Sequence, residues 1–317
     1  MDDTPSPADA LRAFHAMFER DKAIRAASGV GWARSWRHLE LRLKQGALHD
    51  LAFRDFMGPR HLGLMYRWID RIAYHNFLTG RAFNTLVAQA DRTDRQVFEA
   101  LGLPPEDYDT AAVGLYNAQD YHFQTIAQTP ARQRPRRILD FGAGHGRQAN
   151  LWFRKGSAVQ SFTAVDAIPA PYLTQRMYYR ALGLDLNDLM DQGADGFTIV
   201  EARDTVNHLP AWRLDLVPDR SVDMIIAVQV LRELSTPMLI FALQHFARIL
   251  SEDGALYVRD HIGFHNVNML DLDRLLTAYG MVPEWTPVWI DGVDIHGVPR
   301  LWRRANVKAL LGKPPNS

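Results

Sequence analysis

From about residue 131 onward the sequence predicts a doubly wound α/β domain, and over residues 1–130 it predicts an all-helical region. Three observations carry that reading. Apolar runs and helical stretches alternate through the second half, the pattern of a mostly parallel sheet covered by helices. One run, VDMIIAVQVL at Val222–Leu231, is apolar almost throughout, as a strand buried on both faces must be. The first half lacks alternation and instead repeats apolar residues at three- and four-residue spacing.

In the first half, Leu62, Met65, Ile69 and Ile72 form one helical stripe, and Leu39, Leu43, Phe53 and Phe56 suggest earlier helices. Breaks are expected near Gly46 and at Gly58–Arg60. RRILDF (136–141) is the first strand, and GRQANLWFRKG (146–156) a helix closed by Gly156. SFTAVDA (161–167) is the second strand. The next helix, 169–183, has Pro169 at its start and Gly183 at its end. GFTIVEA (196–202) reads as the third strand and VDMIIAVQVL as the fourth. A helix from Thr236 to Leu250 leads through SEDG into the fifth, ALYVRDH (255–261). A helix over Leu270–Tyr279 precedes TPVWI (286–290) and RLWRRA (300–305), close enough in sequence to pair antiparallel.

Composition excludes several classes. At 317 residues and 47% hydrophobic the chain can bury a sizeable core, so wholesale disorder is out. Lys+Arg and Asp+Glu both total 36, without the positive excess of a nucleic-acid binder. The four arginines of RQRPRR (132–137) read as a solvated linker. Zero cysteines remove disulfides, thiolate metal sites and cysteine nucleophiles together. MDDTPSPADA lacks the basic and apolar regions of a secretory leader, and no run reaches the ~18 apolar residues of a membrane span. The expectation is a cytoplasmic protein that binds neither nucleic acid nor membrane.

The chemistry starts at ILDFGAGHGRQAN, 138–150. Gly142, Gly144 and Gly146, with Ala143 between the first two, let a turn take positive φ and bring bare backbone against a ligand. The helix beyond offers free N–H groups. A dinucleotide site wants G-x-G-x-x-G, but here the third small position holds Arg147 and the glycine falls one residue early.

The G-x-G-x-G spacing after an acidic residue instead resembles motif I of the class I, Rossmann-like S-adenosylmethionine-dependent methyltransferases. The resemblance runs from about Arg136 to Asn306. It implies a seven-stranded, mostly parallel sheet with an antiparallel last strand, and S-adenosyl-L-methionine as cofactor. Asp140 would accept from the cofactor's amino group. Asp166, followed by Ala167, would take both ribose hydroxyls, a role suited to the two oxygens of a carboxylate. EARDTVNHLP resembles the stretch that reads the adenine, which points to Asp204, with Glu201 as rival. Gln229 would leave the fourth strand on the ligand side. The interval from Asp140 to Asp166 is somewhat longer than the family's usual one.

Methyl transfer from a sulfonium needs alignment and exclusion of water. With the donor held by 131–317, the helical residues 1–130 are expected to act as a cap, an acceptor-binding wall or a homodimer surface. In GLYNAQDYHFQ (114–124), Tyr116, Tyr121 and His122 are the candidates to close over the cofactor. The helical front half also resembles, faintly, bacterial sugar O-methyltransferases, which implies a small hydroxylated acceptor. The pool for a general base at the ends of the fourth and fifth strands is Gln229, Arg232, Glu233, Asp260, His261 and His265. Histidine titrates near neutral pH, so His261, beside Asp260, is preferred and Glu233 is second. A metal-assisted mechanism is not expected: the resemblance implies, for the family's catechol-type members, carboxylate ligands after the fourth and fifth strands, and here the fourth ends in Val228-Gln229 so that only Asp260 remains. N- or C-methylation, or cofactor binding without transfer, are the alternative readings.

Overall fold

The computed structural model describes residues 7–28, 80–107, 110–126, 134–154, 157–193, 196–260, 269–285 and 298–305. The expected helices carrying Leu39 to Ile72, the strand at 286–290, and His261 and His265 lie outside the described residues.

Among the described residues, four helices precede the sheet: α1 (Pro7–Arg20), α2 (Lys22–Ser28), α3 (Arg81–Ala100) and α4 (Thr110–Ile126). The α/β part follows as β1 (Arg137–Phe141), α5 (Ala149–Trp152), β2 (Ser161–Asp166), α6 (Pro169–Ala181), β3 (Asp185–Asp188) and α7 (Leu189–Gln192). It continues with β4 (Thr205–Pro210), β5 (Val222–Val228), α8 (Thr236–Ile249), β6 (Leu250–Asp260), α9 (Leu272–Ala278), β7 (Met281–Trp285) and β8 (Val298–Arg304). The eight strands among the described residues form one sheet in the order β3-β4-β2-β1-β5-β6-β8-β7. Pairing is parallel from β3 to β6, and β8 runs antiparallel to both β6 and β7.

Sequence and structure agree at β5 and α6 and differ around β3 and β4. β5 is the doubly buried strand expected, and α6 starts on Pro169 and closes at Gly183, whose φ is +77°. The third long strand is Thr205–Pro210, not 196–202. Its Asn207 and His208 are fully buried, and Asn207 satisfies its neighbours by accepting from Val200 N–H at 2.8 Å and donating to the Val200 carbonyl at 3.0 Å. The edge strand Asp185–Asp188 is an eighth strand that the polar sequence DLND does not announce. The helix after the glycines is short, Ala149–Trp152, because a succession of turns occupies residues before it.

Two apolar clusters cover the two faces of the sheet, and the early helices join both. Leu11, Phe14 and Met17 of α1 belong with Tyr172, Trp212 and Phe246. Phe83, Ala90 and Val97 of α3 and Val113 and Phe123 of α4 belong with Trp152, Tyr178 and Tyr257. Trp212 Nε1 donates to Asp21 Oδ2 at 3.0 Å, tying the start of the chain to the loop after β4. No described helix is long and apolar enough to cross a membrane.

Candidate cofactor and acceptor site

At the carboxyl ends of β1, β2 and β5 lies a cavity of about 200 Å³. Open α/β sheets place ligands there, beside the point where strand order reverses, and β1 and β5 flank that point here. The turn after β1 is pinned by Gly142 and Ala143, whose N–H groups donate to the Val165 carbonyl at 2.8 and 3.2 Å. Gly144 takes φ +59°, and a Cβ built there meets nothing within 4 Å. It faces open space on the ligand side. Gly146, at φ +89°, serves packing instead, since a Cβ there would stand 2.7 Å from the Tyr179 ring. That glycine lets α6 pack close and does not line the cavity.

Asp140, Gly142, Ala143, Gly144, Asp166, Ala167, Gln229, Glu233 and Tyr116 all line the cavity. Asp140 is buried, and its Oδ2 has no hydrogen-bond partner among the described residues. Burial pushes its pKa up to about 7, against the pull of Arg147. An orphaned carboxylate oxygen of this kind calls for a donor from the ligand, and an ammonium group fits. Asp166 Oδ1 accepts from the N–H groups of Ala167 and Ile168 at 2.8 and 3.2 Å. Its Oδ2 accepts longer bonds, from Gly144 N–H at 3.2 Å and Gln175 Nε2 at 3.3 Å. Burial raises Asp166 to about 7 as well, opposed by those backbone donors. Gln229 sits at φ +57°, uncommon for a residue with a side chain, held by its N–H donating to the Arg259 carbonyl at 2.9 Å.

Besides Gly146, three expected site residues lie elsewhere. Asp204 is exposed and precedes β4, whereas Asp166 is level with Pro210 at the strand's other end. Once the strand is Thr205–Pro210, Asp204 falls at its amino end, remote from the glycine turn. Tyr121 packs its ring on Trp152 at 5.0 Å, and its hydroxyl accepts from Arg154 Nε at 3.3 Å. His122 meets Phe83 edge-on at 6.1 Å. Helical geometry explains both, because only residues three or four apart share a face with Tyr116, and the partner four residues on is Asp120.

Asp120 is a buried residue behind the cavity wall that sequence reasoning does not find. Wholly buried on α4, it accepts from Arg147 Nη2 at 2.6 Å, Arg259 Nε at 2.7 Å and Nη2 at 3.0 Å, and the Tyr257 hydroxyl at 2.7 Å. Burial alone would raise its pKa, but Arg259 and Arg147 hold it well below the usual carboxylate range. Arg147 and Arg259 both line the cavity, so α4 fixes part of the wall through one carboxylate. A signal exists in the helical spacing, because Asp120 stands four residues after Tyr116 within GLYNAQDYHFQ.

A family described as a methyltransferase domain matches residues 116–311, more than half of the chain. The protein belongs to that methyltransferase family. It is an S-adenosylmethionine-dependent enzyme of the Rossmann-like class, and Asp140, the open face of Gly144 and Asp166 suit that cofactor. No curated protein matches the sequence. Solved structures resemble it at low identity. One is 1,6-didemethyltoxoflavin-N1-methyltransferase from Burkholderia thailandensis, with its substrate and S-adenosylhomocysteine bound: 17% identity, TM-score 0.41, 74% of this chain and 95% of that one. A TehB-like S-adenosylmethionine-dependent methyltransferase from Corynebacterium glutamicum shows 15% identity and TM-score 0.39, over 57% and 87% of the two chains. One from Methanosarcina mazei shows 15% and 0.39, over 56% and 98%.

Proposed function

We propose that this methyltransferase acts on a small hydroxylated metabolite, O-methylating it in a pocket whose far wall is built by the helices before the sheet. The observation that carries the reading is the meeting of two sets of residues in one cavity. Asp140, Gly144 and Asp166 come from the α/β part, and Tyr116 comes from α4. When bound, S-adenosylmethionine supplies an electrophilic methyl carbon, and its sulfur keeps the electron pair of the broken bond. Asp140 would hold the donor's amino group through Oδ2, and Asp166 its ribose through the weakly engaged Oδ2. Tyr116, buried in the wall, would exclude water and seat the acceptor.

The acceptor's hydroxyl proton must leave as its oxygen bonds the methyl carbon. Glu233, at the turn after β5, lines the cavity and is one candidate to take that proton. His261 follows Asp260, the last residue of β6, and is the other candidate for the proton. Comparison of Glu233→Gln and His261→Ala in single turnover decides between them. The base should lose about 10²–10⁴-fold in rate with cofactor affinity intact. A loss under threefold in both variants would leave alignment alone as the mechanism, as an amine acceptor would allow.

Isothermal titration with S-adenosylhomocysteine, followed by a screen of hydroxylated metabolites for methyl incorporation from labelled donor, tests the function as a whole. Tight cofactor binding with methylation only of amines would overturn the O-methyl assignment.

A further inference from the structure

A buried chain of polar side chains runs from β3 and β4 to the glycine turn, outside the cavity. Gln175, on α6 and fully buried, donates through Nε2 to the Gly144 carbonyl at 2.8 Å and to Asp166 Oδ2 at 3.3 Å. Gly144 N–H donates to that same oxygen at 3.2 Å. The three groups close a ring that fixes both the peptide at Gly144 and the rotation of the Asp166 carboxylate. Behind them, Gln175 Oε1 meets His208 Nε2 at 2.9 Å, and His208 Nδ1 meets Asp188 Oδ2 at 2.8 Å. Tyr172 stacks on the imidazole with ring centroids 3.8 Å apart and donates to Asp188 Oδ1 at 2.7 Å. Arg176 pairs with Asp188 and Asp191.

A count of donors fixes the orientation. Both amide hydrogens of Gln175 are taken by acceptors, so its oxygen must face a donor, and His208 Nε2 must carry a proton. Nδ1 faces a carboxylate oxygen, so a second proton there would charge the ring. Burial works against that second proton, pushing the ring below its ordinary pKa of 6.5, while Asp188 works for it. Against its own burial, Asp188 is drawn down to about 2 by His208 and Arg176 and stays ionised to do so. A bare Nε2 would set a lone pair against Gln175 Oε1. The amide would then turn over and put its oxygen against the Gly144 carbonyl.

We propose that Gln175 and His208 are positioning residues for the methyl donor: His208 holds the Gln175 amide in the one orientation that sets Gly144 and Asp166 for the cofactor. The proposal rests on the reading of the cavity as the donor site. Neither residue lines that cavity, so both act through others.

Isothermal titration of the full chain with S-adenosylhomocysteine tests the relay. His208→Phe keeps a ring stacked on Tyr172 but removes the donor, whereas His208→Gln gives up the ring and restores an N–H. The Phe variant should bind about three- to tenfold more weakly, and the Gln variant within about twofold of the unmodified protein. A role in filling the core predicts the reverse order and would overturn the proposal. Gln175→Met should weaken binding as His208→Phe does. Combined with Asp166→Ala, it should add less than the sum of the two effects. Where circular dichroism shows these variants unfolded, nitrogen-15 NMR of the unmodified, histidine-labelled protein decides. A protonated His208 Nε2 in the S-adenosylhomocysteine complex supports the proposal, and a bare Nε2 overturns it. Failure of the unmodified protein to bind S-adenosylhomocysteine would refute the donor-site reading itself; normal binding by every variant would refute only the relay.

Discussion

Asp120 and Arg259 form a two-point ion pair, Oδ1 to Nε at 2.7 Å and Oδ2 to Nη2 at 3.0 Å, that joins a helix of the first half to the end of β6. Both residues are buried. Removing the carboxylate would leave Arg259 and Arg147 without the charge they share. Asp120→Ala should therefore destabilise the fold by about 3–5 kcal/mol, read from the denaturant midpoint. A change under ~1 kcal/mol would mean that the pair is dispensable.

Asp166→Ala should raise the dissociation constant for S-adenosylhomocysteine by roughly one to two orders of magnitude, from the loss of charge-assisted hydrogen bonds. Asp204→Ala is the internal control. It is exposed at the far end of β4, so affinity should stay the same and stability should move by no more than about 0.5 kcal/mol. Equal effects of the two variants would count against the placement of the ribose.

Gly144→Val should abolish cofactor binding while the far-ultraviolet circular dichroism stays near native. The added side chain enters open space, so the fold bears only the strain of φ +59°. Gly146→Ala should do the opposite, damaging the fold first, because its Cβ would strike the Tyr179 ring. A Gly144 variant with normal affinity would show that the turn does not cradle the ligand.

Stability should depend on pH in a stated direction. Asp140, Asp166 and Asp260 have pKa values raised from 3.8 to about 7, each chiefly by burial. The folded state then holds protons that the unfolded chain has released. The stability they confer is complete below pH ~3.8 and is lost as pH rises through about 7. Thermal unfolding of the ligand-free protein should fall between pH 6.5 and 8. The rise in Tm with S-adenosylhomocysteine should grow over the same interval, because the ligand's donors select ionised Asp140 and Asp166. A gain that is larger at pH 6.5 would show those carboxylates binding in their protonated form.

What the sequence revealed, and what it hid, follows the hydrophobic pattern. β5 and α6 declare themselves because an apolar run or a proline-to-glycine frame has one good structural solution. The glycine turn with Asp140 and Asp166 was legible because bare backbone beside carboxylates is rare outside ligand sites. TVNHLP was not, because Asn207 and His208 look like loop residues until their buried partners are known. GFTIVEA misled for the converse reason. Its Phe197 is buried, yet its backbone is held by side chains, Asn187 donating to the Thr198 carbonyl at 2.8 Å, and not by a strand partner. Asp120 was hidden because its two arginines lie 27 and 139 residues away.

The bond between Asp21 and Trp212 spans 191 residues, and it has a consequence for synthesis of the chain. The apolar face of α1, with Leu11, Phe14 and Met17, packs against residues that a ribosome has not yet made when α1 emerges. At about 5–20 residues per second, that face stays uncovered for roughly 10–40 s. Early translation therefore exposes a sticky amphipathic helix to solvent, and chaperones that shield nascent chains would meet that helix before its packing partners are made.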